Sequence, residues 1–92
     1  MKALIVDDER LARKELMKLL EEHPSIEVAG EAMNADEAEK MIEELNPDLL
    51  FLDIQMPGRT GFQLLESLDT VPLVVFTTAY DEFAIRAFEV NA

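Results

Sequence analysis

Leu49-Leu50-Phe51-Leu52-Asp53-Ile54-Gln55-Met56-Pro57-Gly58-Arg59-Thr60-Gly61 sets four consecutive apolar residues against a carboxylate and then a loop shaped by a proline and two glycines. An apolar run without alternation suits a parallel strand covered on both faces, because neither face then has to present polar side chains to water. Similar runs begin near Ala3, Ile26 and Leu73, and their spacing of about 23 residues leaves room for one helix between successive strands. Four βα units follow, with parallel strands joined by right-handed crossovers. The predicted strands are 3–6, 26–32, 49–52 and 73–76. The second of these is interrupted by Glu27 and Glu31, which marks it as an edge strand with one wet face.

The intervening stretches carry helical period. Leu11, Ala12, Leu16, Leu19 and Leu20 fall on one stripe of a helix over about 8–22, with Glu9, Arg10, Arg13 and Lys14 turned mostly outward. A second helix starts at Asn34, which can accept from backbone donors while Glu37 reaches back. Its buried stripe is Ala35, Ala38, Ile42 and Leu45, and Asn46-Pro47 ends it, because the residue before a proline is pushed out of the α region. A third helix follows Gly61 with Leu64, Leu65 and Leu68, and a fourth begins near Asp81 with Phe83, Ala84, Ala87 and Phe88.

Composition narrows the function. Twenty acidic and 8 basic side chains leave a net charge of −12, which repels phosphate backbones and argues against a nucleic-acid surface on this chain. Cations and basic partners are favoured. The absence of cysteine removes disulfides, thiolate metal sites and cysteine nucleophiles, and suits a cytoplasmic protein. No stretch approaches the roughly 18 uninterrupted apolar residues of a membrane span, so a soluble domain is expected. Ninety-two residues supply one core, and the chain reads as one domain over 1–92.

Loops at the C-terminal ends of parallel strands converge on one rim, where ligands bind. The first strand ends in Asp7-Asp8-Glu9, the third in Asp53 and the fourth in Thr77-Thr78-Ala79. Carboxylates gathered on one rim repel one another unless a cation sits among them, and oxygen donors without His or Cys select magnesium over zinc. Asp7 or Asp8 with Asp53 makes an incomplete magnesium shell awaiting a phosphoryl oxygen. A carboxylate there can also attack phosphorus, giving an acyl phosphate. Thr78 can donate a hydroxyl to the phosphoryl group, and the small Ala79 leaves the pocket mouth open. The bland readings also stand at this level: Asp7-Asp8 fits a helix N-cap, and Asp53 fits a turn residue before a proline loop.

The acidic pair after strand one, the Asp-x-x-Met-Pro-Gly-x-x-Gly loop of residues 53–61 and Thr78-Ala79 after strand four together resemble a bacterial response-regulator receiver domain. The closing stretch from Thr78 to Ala92 is most similar to the LytTR class. The resemblance implies an α/β, flavodoxin-like (CheY-like) doubly wound parallel sheet with family strand order 2-1-3-4-5. It further implies Asp53 as phosphoacceptor, Asp7, Asp8 and Asp53 as Mg2+ ligands with the Gln55 backbone carbonyl, and Thr78 as switch hydroxyl. The implied phosphodonor is a sensor histidine kinase, and the implied role is a self-phosphorylating and self-dephosphorylating switch rather than a metabolic enzyme. In the LytTR class the output domain binds DNA. The family's fifth strand, its aromatic, its Lys-Pro pair and its last helix are expected beyond Ala92, which leaves the sheet incomplete and predicts self-association through the exposed edge of strand four. Two rivals remain. A magnesium-dependent aspartyl phosphohydrolase usually carries a second Asp two residues after the first, where this sequence has Gln55. A phosphorylation-independent interaction module keeps the fold without the switch.

Overall fold

The computed structural model describes residues 1–77. In chain order its elements are β1 (Lys2–Val6), α1 (Arg10–Leu20), β2 (Glu27–Ala32), α2 (Ala35–Leu45), β3 (Leu49–Leu52), α3 (Gly61–Ser67) and β4 (Leu73–Phe76). All four strands pair in parallel in the order β2-β1-β3-β4. The parallel α/β arrangement is the one expected from the alternation of strands and helices, and the strand order is that of the flavodoxin-like fold implied by the resemblance to receiver domains. The fourth helix expected from Asp81 lies outside the described residues, as do Thr78, Ala79, Tyr80, Phe83 and Phe88.

Successive residues of a strand point to opposite faces, and the four apolar residues of β1 divide accordingly. Leu4 and Val6 join Leu50 and Leu52 of β3 under α2 and α3, while Ala3 and Ile5 join Leu49 and Phe51 under Leu16 and Leu20 of α1. Helices therefore cover both faces, which is why β1 and β3 read as uninterrupted apolar runs. β2 sits at an edge, as Glu27 and Glu31 announced, and both glutamates are exposed. β4 departs from the expectation of a strand buried on both faces. Leu73 is 64% exposed and Val75 45%, because α1 stands over the β1 side of its sheet face and does not reach them.

The helices show where local pattern sufficed and where it did not. α2 is capped by Asn34, whose side chain accepts from the Glu37 N–H at 2.8 Å, while the Glu37 carboxylate reaches the Met33 N–H at 3.2 Å. It closes at Asn46, whose φ of 46° lies in the left-handed region, a conformation asparagine tolerates better than most residues. Ala35, Ala38 and Ile42 are buried as expected. The expected stripe of α1 needs correction. Leu11 and Leu19 are 74% and 63% exposed, because the sheet meets the line of Leu16 and Leu20, and both exposed leucines are rotated away from that line. Arg13, expected outward, is turned in with only 14% of its side chain exposed. The helix also begins at Arg10 rather than residue 8, and its N-cap position is Glu9, with no side-chain cap.

Candidate phosphoryl and metal site

The rim at the C-terminal ends of β1 and β3 is built by backbone pairing. Val6 and Leu52 are register partners, so the residues that follow them, Asp7 and Asp53, leave the sheet side by side. The Asp53 N–H donates to the Val6 carbonyl at 2.9 Å and the Asp7 N–H to the Ala32 carbonyl at 3.0 Å. Asp7, Asp8 and Asp53 each place one carboxylate oxygen within 4.8 Å of the other two. Asp7 and Asp53 are 9% and 7% exposed, and Asp8 is the more open of the three. Among the described residues neither Asp7 nor Asp8 forms an ion pair.

Local bonds set each carboxylate. Asp7 Oδ1 accepts from the Glu9 N–H at 2.9 Å, a turn made before the helix starts, so Asp7 does not cap α1. Asp53 Oδ1 accepts from the Gln55 N–H at 3.3 Å. Gly58 takes a φ of 81°, which glycine adopts without strain, and turns the loop back toward α3. Thr60 caps α3 through a reciprocal pair with Gln63, a capping box whose Thr-x-x-Gln signature is local in the sequence. Arg59 joins the same loop to α2, donating to Asp36 at 2.7 and 3.1 Å and to Glu39 at 3.2 Å. Donating to Asp36, and then to Glu39, raises the guanidinium above its ordinary pKa.

The loop is also held from below. The Gly61 N–H donates to the Ile54 carbonyl at 2.8 Å, and a Cβ at Gly61 would stand 2.6 Å from the Asp53 carbonyl oxygen. The first residue of α3 thus rests directly on the backbone of Asp53. Of the expected site residues, Asp7, Asp8 and Asp53 are brought together, and Gln55 lies in the loop beside them with its side chain exposed. Thr78 lies outside the described residues. Arg13 and Gly61 were not read as site residues. Glycine opening a helix was a usable signal, since helices rarely favour it, whereas nothing local distinguishes Arg13 from an outward arginine.

All-oxygen donors on a rigid strand rim suit a hard divalent cation that keeps part of its water shell. The three aspartates fit Mg2+ by donor type and by their mutual spacing.

The sequence matches the response regulator receiver domain family over residues 3–92; the chain belongs to that family, whose members are signalling proteins and bind Mg2+ at an acidic pocket. It is 58% identical over 92 residues to a response regulatory protein of Vibrio cholerae, covering 98% of this chain and 39% of that protein. It is 50% identical over 93 residues to the transcriptional regulatory protein BtsR of Escherichia coli, covering 99% of this chain and again 39% of the relative. The chain thus spans about two-fifths of the length of these curated relatives. Among solved structures it is similar to the response regulatory domain of mrkE from Klebsiella pneumoniae, with TM-score 0.82, 36% identity, and coverage of 100% of this chain and 78% of that one. It is also similar to the response regulator domain of CheB from Thermotoga maritima, with TM-score 0.81, 28% identity, and coverage of 100% and 73%.

Proposed function

We propose that residues 1–92 form one receiver unit that accepts a phosphoryl group on Asp53 from a sensor histidine kinase and passes the change of state to an output domain elsewhere in the protein. The observation that carries this reading is the convergence of three carboxylate oxygens within 4.8 Å on the rim of β1 and β3. In the transfer, an Asp53 carboxylate oxygen attacks phosphorus, the bond from phosphorus to the donor nitrogen breaks, and its electron pair leaves with the imidazole, giving an acyl phosphate. The Gln55 N–H on Asp53 Oδ1 orients the carboxylate for attack. Asp7 and Asp8, with Asp53 and the Gln55 backbone carbonyl, are the Mg2+ ligands. When bound, Mg2+ offsets the charge on the phosphoryl oxygens and aligns them. Thr78 supplies the switch hydroxyl, and later hydrolysis of the acyl phosphate resets Asp53.

The names of the relatives support a transcriptional output, and the closing stretch 78–92 supports the LytTR class. Such a switch works in the cytoplasm, in keeping with a cysteine-free chain. No helix among the described residues is long and apolar enough to cross a membrane. Gln55, two residues after the nucleophile, weighs against a phosphohydrolase. The test is mass spectrometry after incubation with acetyl phosphate and Mg2+. The unsubstituted protein gains one phosphoryl mass and Asp53→Asn gains none. Equal uptake by both, or uptake by neither, sinks the assignment, and uptake by neither favours the interaction module.

We also infer that β4 mediates self-association. Leu73 and Val75 are exposed on it, and an exposed apolar pair invites another apolar surface. Light scattering is expected to show the mass rising with concentration, and Val75→Lys to suppress the rise. A monomeric mass at all concentrations refutes it.

A further inference from the structure

Arg13 is the one arginine among the described residues that reaches the acidic rim. It lies in the first turn of α1, where helical side chains lean back toward the N-terminus, and this lean carries its guanidinium over the end of β1. Nη1 donates to the Asp7 carbonyl oxygen at 2.7 Å, and Nε donates to Glu31 Oε1 at 3.1 Å. The backbone of Asp7 is therefore held on both sides, by Ala32 through its N–H and by Arg13 through its carbonyl. The carbonyl that Arg13 holds belongs to the peptide linking Asp7 to Asp8. Fixing that plane fixes the direction in which the Asp8 Cα leaves the strand, and with it the reach of the Asp8 carboxylate.

We propose that Arg13 is a positioning residue for the cation site, setting the Asp7–Asp8 peptide so that both carboxylates meet Asp53. This deepens the magnesium-dependent reading above and rests on it. A guanidinium beside a cation site ought to weaken binding by repulsion. Glu31, paired with it at 3.1 Å, cancels much of that field. The pair thus supplies hydrogen-bond geometry with little net charge. Lysine cannot reproduce it, because one ammonium lacks the fork that spans a carbonyl and a carboxylate in fixed directions.

Geometry and charge predict opposite signs, which makes the proposal testable. Mg2+ is titrated into the intact protein while the amide resonances of Asp7, Asp8 and Glu9 are followed by NMR, so that only folded molecules report. Arg13→Gln is expected to raise the Mg2+ dissociation constant about tenfold, the usual cost of losing an outer-shell partner, and Arg13→Lys to raise it as well. A constant that is unchanged or lower in Arg13→Gln overturns the proposal, since a purely structural arginine leaves binding by the folded state unaltered and a purely electrostatic one tightens it. If Arg13→Gln does not fold, Arg13→Lys decides: weaker binding supports the role and unchanged binding removes it. No magnesium-dependent shift in the unsubstituted protein sinks the magnesium reading and this one together, whereas shifts there with an unaltered constant in the variants sink the role of Arg13 alone.

Discussion

Asp8→Asn is expected to make the metal-free protein more stable while lowering its Mg2+ affinity by roughly a hundredfold, at least the loss that removal of an outer-shell partner brings. Both effects come from the same charge. At the 4.8 Å that bounds the three carboxylate oxygens, two unit charges repel by roughly 3–4 kcal/mol at an effective dielectric of 20 and by less than about 1 kcal/mol in bulk water. Asp8 is the most open of the three, so screening brings the relief near the lower figure, about 1 kcal/mol. In a domain of this size that corresponds to a rise in Tm on the order of 5 °C, shrinking as salt is added. Saturating Mg2+ reverses the order, because a ligand that binds the folded state stabilises it in proportion to its affinity. Melting curves at low and high salt, with and without Mg2+, read all of this. If the metal-free Tm does not rise, or if Mg2+ stabilises both proteins equally, the three aspartates are not a mutually repelling cation site.

Gly61→Ala is expected to destabilise the protein by about 3 kcal/mol, the upper part of the range for overpacking, and to lower phosphoryl uptake at Asp53. Two effects compete at this position. Alanine is the better helix former by about 1 kcal/mol, which favours the substitution at the start of α3. Its Cβ, however, would lie 2.6 Å from the Asp53 carbonyl oxygen, 3.1 Å from Leu52 Cγ and 3.2 Å from Ile54 Cα. The nearest of these is backbone, held in place because the Asp53 N–H bonds to Val6 and the Gly61 N–H to Ile54. Neither partner can swing aside, so the steric cost prevails and the strand end bearing Asp53 is displaced. Calorimetry gives the stability change, and acetyl phosphate labelling of the folded variant gives the uptake. An increase in Tm with normal labelling would show that the contact between α3 and Asp53 is more yielding than its distances imply.

Gly61 and Arg13 also mark the border between what local sequence reveals and what it hides. Leu49–Leu52 was readable as a buried strand because four apolar residues in a row need cover on both faces, and Asp53 stood out because a carboxylate ends that run. Asn34 and Glu37 disclosed a helix start because their partners lie within four residues. Each of these signals is carried by the chain's own period or by neighbours in sequence. Leu11 and Leu19 had the right polarity for a buried stripe, yet they are exposed, because the line of contact with the sheet depends on how α1 is seated over β1 and not on its composition.

The amino-acid order alone established the alternation of strand and helix, the edge character of β2 and the presence of carboxylates at two strand ends, since all three follow from hydrophobic period and from the geometry of strand tips. The tertiary structure decided that Asp7 and Asp53 stand side by side, that Arg13 turns back to hold the Asp7 carbonyl from one side while Glu31 of β2 holds its charge, and that α3 begins against the Asp53 backbone. These contacts join residues that belong to different elements of the fold. Strand register and helix seating create them, and no local pattern encodes either one.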